Sequence, residues 1–187
     1  MGPRMRHPSE TTRLPEFAAE LLPGPSRFAI RLLARSDLTE VASLFKRLEP
    51  QARLDRFGHE IGDAALEAYA HQSLAESPPV FGALIDDRLS GIAEITRFSR
   101  EDAAVLAFVV DAERRRQGIG CRLLLAALAW TAERRLSSVQ LQCARTNWAV
   151  RQIAQKANAR VSLTAGQFLA QFDPNGRSAL SIAQAKT

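Results

Sequence analysis

Disulfide frameworks, metal sites and membrane spans all need residues that this chain has in short supply. Its 187 residues include two cysteines, Cys121 and Cys143, both set in apolar stretches and not in a spaced framework. They read as buried thiols of a reducing compartment, with a disulfide the weaker reading. The three histidines, His7, His59 and His71, stand at no metal-ligand spacing from cysteine or carboxylate, so no metal is expected. Aromatic residues make up 6%, with one tyrosine, and the arginines are interleaved with acids. That combination does not suggest a nucleic-acid surface, although a net charge of +5 mildly favours anionic ligands. The longest apolar runs, Ala103–Val110 and residues 123–130, fall far short of the roughly 20 residues that cross a bilayer. No apolar h-region follows the opening basic residues, so the expected setting is cytoplasmic, with no membrane partner. No serine lies in a nucleophile-elbow pattern, and no Gly-Lys-Ser/Thr follows a glycine to make a P-loop.

What is present is ordinary globular material, 46% hydrophobic and 24% charged, enough for one domain with a substantial core. Residues 1–26 carry Pro3, Pro8, Pro15, Pro23 and Pro25 and read as a partly disordered extension. The domain is expected over residues 27–173, and the stretch 174–187 as a loose tail. Within the domain, residues 28–33 are strand-like. Asp37 and Glu40 stand at capping-box spacing before a helix whose apolar face is Leu38, Val41, Leu44, Phe45 and Leu48. Pro50 is expected to end that helix, with residues 51–57 as a short second one. Asp63 is expected to cap a third, with Leu66, Tyr69 and Ala70 on one face.

A hairpin follows, with strands at Val80–Ile85 and residues 89–98 around Asp86-Asp87-Arg88. Glu101-Asp102 marks another turn, and Ala103–Val110 is apolar throughout, as in a strand covered on both faces. Residues 118–136 read as a well-buried helix. A strand at Val139, Leu141 and Cys143, a helix at residues 148–157 and closing strands at residues 160–163 and Gln167–Phe172 complete the order. The expected class is therefore α/β (α+β): a single domain with helices on a central mixed, largely antiparallel sheet.

The most informative segment joins the apolar strand to the buried helix: Phe108-Val109-Val110, then Asp111-Ala112-Glu113-Arg114-Arg115-Arg116-Gln117, then Gly118-Ile119-Gly120. A helix N-terminus already carries about half a positive charge, so arginines there are unfavourable unless an anion intervenes. Free N–H groups, glycines and unbalanced arginines together describe an anion site. A glycine-rich turn with solvated arginines remains the other reading of the same residues. The dinucleotide fingerprint fits poorly, because Leu123 takes the position of its third glycine.

Arg115-x-x-Gly118-x-Gly120 at a strand–loop–helix junction resembles the acyl-CoA signature of the GNAT acyltransferase superfamily. Asn147, with Val150, Ile153 and Lys156 behind it, is similar to that family's second helical motif. Leu48-Glu49-Pro50 followed by Arg56-Phe57 is more loosely similar to bacterial protein-lysine acetyltransferase domains. The resemblance implies a three-layer α/β/α fold and an N-acyltransferase that moves an acetyl group from acetyl-CoA to a primary amine. The amine's identity (protein lysine, protein N-terminus or small amine) stays open, as does a homodimer. It further implies that Phe108, Val109 and Val110 offer strand edge to the pantetheine arm. Backbone N–H groups across Arg115, Arg116, Gln117, Gly118, Ile119 and Gly120 would cradle the pyrophosphate, with the arginines complementing phosphates. Asn147 would contact the pantetheine or act as a helix cap. Cys121, just inside the helix start, is either thiolate-prone or a packed small residue.

The chain departs from the family at the reacting end. No carboxylate occurs in Ala104-Val105-Leu106-Ala107, where a glutamate base is common, and the usual tyrosine position, seven after Asn147, is Ala154. Two replacements are candidates. Glu94 on the neighbouring strand either reaches the amine through water or simply faces outward. Tyr69 either serves the substrate side or packs in the core. The competing functional expectation is an acyl-CoA-binding sensor or interaction module without chemistry.

Overall fold

The computed structural model describes residues 28–75, 79–97, 103–164 and 167–175. The expected extension 1–26, the Glu101-Asp102 turn and the tail from residue 176 lie outside the described residues. The chain runs β1 (Phe28–Leu32), α1 (Leu38–Lys46), α2 (Pro50–Phe57), α3 (Asp63–Ala75), β2 (Val80–Ile85), β3 (Arg88–Arg97), β4 (Ala103–Val110), α4 (Ile119–Glu133), β5 (Ser138–Ala144), α5 (Trp148–Lys156), β6 (Arg160–Thr164) and β7 (Gln167–Phe172). The seven strands form one sheet in the order β1-β2-β3-β4-β5-β7-β6. All neighbours are antiparallel except β4 and β5. This is the expected mixed, largely antiparallel sheet between helical layers.

Strand alternation supplies two cores. On one face Phe81, Ala83, Ala93, Ile95, Ala104 and Leu106 meet α4 and α5 through Leu123, Leu124, Ala127 and Ala154. On the other, Val80, Leu89, Ile92 and Val109 meet α1 and α3 through Val41, Leu44, Phe45, Leu66 and Ala70. Leu123, Leu124 and Leu128 have no exposed surface, and each such burial contributes about 2 kcal/mol. This apolar circumference explains why α4 is the most deeply embedded of the described helices.

Three local expectations need correction. Pro50 does not end the first helix, which stops at Lys46; it starts the second at a position where its missing N–H costs nothing. Asp37 makes no side-chain cap on α1. Its carboxylate turns back instead to accept from the Ala34 N–H at 2.8 Å and to pair with Arg31 at 2.7 Å, and that guanidinium holds its pKa below the ordinary value. Arg88 belongs to β3 and not to the turn. Asp86 and Asp87, at φ of 50° and 61°, make the tight connection by themselves.

Candidate active site

The feature that shapes the site is a failure of pairing. β4 and β5 are joined only at Ala103, Ala104 and Val105 against Ser138, Val139 and Gln140. Beyond that point β4 keeps its β3 partner and β5 its β7 partner, but the two strands part from each other. Their carboxyl ends form a fork; on its β4 side the backbone of Leu106, Phe108 and Val110 has no strand partner, while Ala107 and Val109 are turned to β3. A buried unpaired N–H or C=O is costly, so such an edge is a seat for a ligand that pairs like a strand. The side chains of Phe108 and Val110 go into the α4 core and Val109 into the α1/α3 core. Phe108 and Val110 therefore offer backbone to the fork and little else, whereas the backbone of Val109 is turned to Ile92 of β3 and not to the fork as expected.

The loop after β4 is clamped from below. Asp111, 3% exposed, receives Arg47 Nε at 2.9 Å and Arg88 at 3.4 Å, and its N–H donates to Ser90 O at 2.9 Å. Arg116 takes a left-handed φ of 63°, a conformation that costs a non-glycine residue roughly 1–2 kcal/mol and so points to a constrained loop. Gly118 follows at φ 77° as the N-cap of α4, with no side-chain cap. The first intrahelical bond observed there is Arg122 N–H to Gly118 O, which leaves the N–H groups of Ile119, Gly120 and Cys121 without helical acceptors. No acidic residue sits in the first turn to quench the dipole.

The predicted loop residues divide by role. Ile119, 2% exposed, belongs to the core and contributes only its backbone. The lack of a side chain at Gly120 serves packing as well as approach: a Cβ there would lie 2.8 Å from Ile153 Cδ1 and 3.4 Å from Phe108 Cε2. Arg115 is not unbalanced. Its guanidinium donates to Glu49 Oε2 at 2.8 Å and to Val110 O at 3.4 Å, tying the loop to the start of α2. Arg116 and Gln117 remain exposed to solvent. Asn147 caps α5, its Oδ1 accepting from the Val150 N–H at 3.2 Å, while its Nδ2 faces Asp55 Oδ2 at 3.5 Å.

On the acceptor side the structure brings Glu94 and Tyr69 together. The Tyr69 hydroxyl donates to Glu94 Oε2 at 2.9 Å and accepts from Arg56 at 2.7 Å. Arg56 also forms an ion pair with Glu94, and the Ser73 hydroxyl donates to the other carboxylate oxygen. Glu94 is thus neither outward-facing nor free. Tyr69 packs edge-on against Phe45 and Phe57, with centroids 5.6 and 5.1 Å away, so it combines core packing with a satisfied hydroxyl. Arg56 and Ser73 carried no assigned role in the sequence. The four-residue spacing of Tyr69 and Ser73 places both on one face of α3, and it is the one signal that linked them. Ala154 is fully buried, so no group replaces the usual tyrosine at that position.

Neither cysteine is poised as a thiolate. Burial pushes the Cys121 thiol up, with Lys156 opposing. Cys143 is pushed up to about 11 by burial first and the Asp55 carboxylate second, against Arg151. At pH 7.5 both thiols should therefore react with iodoacetamide far more slowly than a free cysteine, and unfolding should restore the ordinary rate. Rapid labelling of the folded protein would contradict this placement. Among the described residues no group of three or more His, Cys, Asp or Glu could hold a metal ion, and no helix is long and apolar enough to cross a membrane.

The acetyltransferase (GNAT) family model matches residues 39–158, the segment from α1 to the end of α5. No curated sequence matches the chain. Solved structures do. The GNAT domain of S. lividans PAT superposes with a TM-score of 0.68 at 16% identity, covering 77% of this chain and 89% of that one. The ribosomal-protein-S18-alanine N-acetyltransferase of Escherichia coli gives 0.62 at 15%, covering 80% and 96%. The PaiA N-acetyltransferase of Thermoplasma acidophilum, in complex with coenzyme A, gives 0.61 at 18%, covering 79% and 99%. At these identities the likeness concerns the fold.

Proposed function

Because the chain belongs to the GNAT acetyltransferase family, we propose that it transfers an acetyl group from acetyl-CoA to a primary amine. The observation that carries this reading is the fork: three paired positions, then two parallel strand edges open beside an uncapped helix N-terminus. The edge groups of Phe108 and Val110 suit the amide groups of the pantetheine arm, with Val109 between them held to β3. The N–H groups from Gln117 to Cys121 suit the pyrophosphate, with Arg116 as the cation beside it. Arg115 braces the loop through Glu49. Asn147 holds the start of α5 against the open end of the fork.

In this reading the acceptor amine, having lost one proton to solvent, attacks the thioester carbonyl. The C–N bond forms, the C–S bond breaks, and the CoA sulfur leaves with the second proton given up by nitrogen. The oxyanion that forms in between is stabilised by a β4 backbone N–H at the fork. Holding amine and thioester in register supplies much of the acceleration. Glu94 and Tyr69 are spent on each other and on Arg56, so their part is to position α2 and α3 over the sheet. The domain unit is residues 27–173, and a cytoplasm, which supplies acetyl-CoA, is its natural setting.

A second reading, acyl-CoA binding without turnover, is favoured by the alanines at 107 and 154. Calorimetric titration with acetyl-CoA, together with CoA-thiol release over a panel of primary amines, tests both. Micromolar binding with amine-dependent release is expected. Binding with no release from any amine would favour the sensor, and absence of binding would overturn both readings.

A further inference from the structure

Carboxylates beneath the open end of the fork are nearly all matched to arginine. Glu94 has Arg56, Asp111 has Arg47 and Arg88, and Glu49 has Arg115. Asp55 is the exception. It is half-buried on α2, a helix that packs against both β4 and β5, and no cation lies within ion-pair distance among the described residues. Among the described residues its oxygens accept only from neutral amides, Gln51 Nε2 at 2.8 Å and, more distantly, Asn147 Nδ2 at 3.5 Å. Those amides hold the carboxylate in place and leave lone pairs open. After burial, the Asp55 carboxylate is the second influence that pushes up the thiol of Cys143 on β5.

The chain neighbours of the two residues in contact are both exposed apolar side chains: Leu54, 41% exposed, and Trp148, 60% exposed. Arg151 lies beside Trp148, its guanidinium 5.4 Å from that ring and 5.7 Å from the ring of Phe168. Resting on the acetyltransferase reading, we propose that Asp55 captures the acceptor in its ammonium form, a monocationic primary amine on an apolar body, which gives one proton to solvent before its nitrogen attacks. A carboxylate with no cation of its own gains a charge-assisted pair from such a ligand. Leu54 and Trp148 cover the apolar part. Arg151 penalises a second positive charge, which disfavours polyamines.

The test uses the full chain saturated with CoA and titrated calorimetrically with phenethylamine or putrescine. Wild type should bind phenethylamine at least about tenfold more tightly than putrescine. Asp55→Asn should weaken phenethylamine binding by about tenfold or more, with CoA affinity unchanged within about twofold. Trp148→Ala, at an exposed site, should weaken phenethylamine about fivefold and leave CoA alone. Equal phenethylamine affinity in wild type and Asp55→Asn would overturn the Asp55 assignment, as would tighter binding of putrescine. So would a CoA-loaded wild type that binds neither amine. Should Asp55→Asn lose CoA binding as well, the Trp148→Ala result decides, and unchanged phenethylamine affinity there overturns the proposal. A wild type that fails to bind CoA at all overturns the acetyltransferase reading itself, and this is a distinct outcome.

Discussion

Gly118→Asp is expected to weaken CoA binding by about 100-fold or more, while Gly118→Asn should stay within about tenfold of wild type. Residue 118 sits at φ 77°, a conformation that Asn and Asp both tolerate at a cost of about 1 kcal/mol, so the two variants share the same backbone strain. They differ by one negative charge at the mouth of α4. A carboxylate about 5 Å from a phosphate costs about 3 kcal/mol at an effective dielectric near 20, which accounts for the larger loss. Thermal unfolding should show similar midpoints for the two. Isothermal titration that placed Gly118→Asp within fivefold of Gly118→Asn would remove the pyrophosphate from this loop. Gly120 is the poorer probe, because a side chain there meets Ile153 and Phe108 and disturbs the helix packing along with any ligand.

The second large effect concerns the ion pair under α2 and α3. The side chains of Arg56 and Glu94 are 11% and 9% exposed, so solvent screens them little. Glu94→Leu strands a buried guanidinium and should cost about 4 kcal/mol in urea unfolding. Combining it with Arg56→Met removes both charges and should return stability to within about 2 kcal/mol of wild type. Acetyl transfer by the double variant tells positioning from proton transfer. A general base contributes roughly 100-fold or more, so a rate within about tenfold of wild type is expected if Glu94 only positions. A double variant as unstable as Glu94→Leu alone would mean that the pair is not what holds these helices.

The cofactor end was legible because its signals are local. The all-apolar strand Ala103–Val110, the basic loop and the glycines opening a buried helix lie within one short stretch, and each has a direct physical meaning. The capping role of Asn147 was also readable from its place before a periodic helix. Other positions were not legible, for one common reason. Arg115 looked like a free phosphate ligand until Glu49, the residue just before α2, took it up. Glu94 offered two readings, and neither included Arg56, because an ion pair between α2 and β3 leaves no trace in the spacing of either element. Asp37 stood at capping distance from Glu40, yet the stronger attraction of Arg31 drew its carboxylate back.

By itself, then, the amino-acid sequence determined the element order, the sheet class, the buried α4 and the uncapped helix start that suits an anion. All of these follow from periodicity and backbone chemistry within a few residues. Only the tertiary structure decided where β4 and β5 part company, which carboxylates are neutralised and that Asp55 has no cation within ion-pair distance among the described residues. Strand divergence and charge pairing depend on contacts between distant segments, and these exist only once the layers have closed on the sheet.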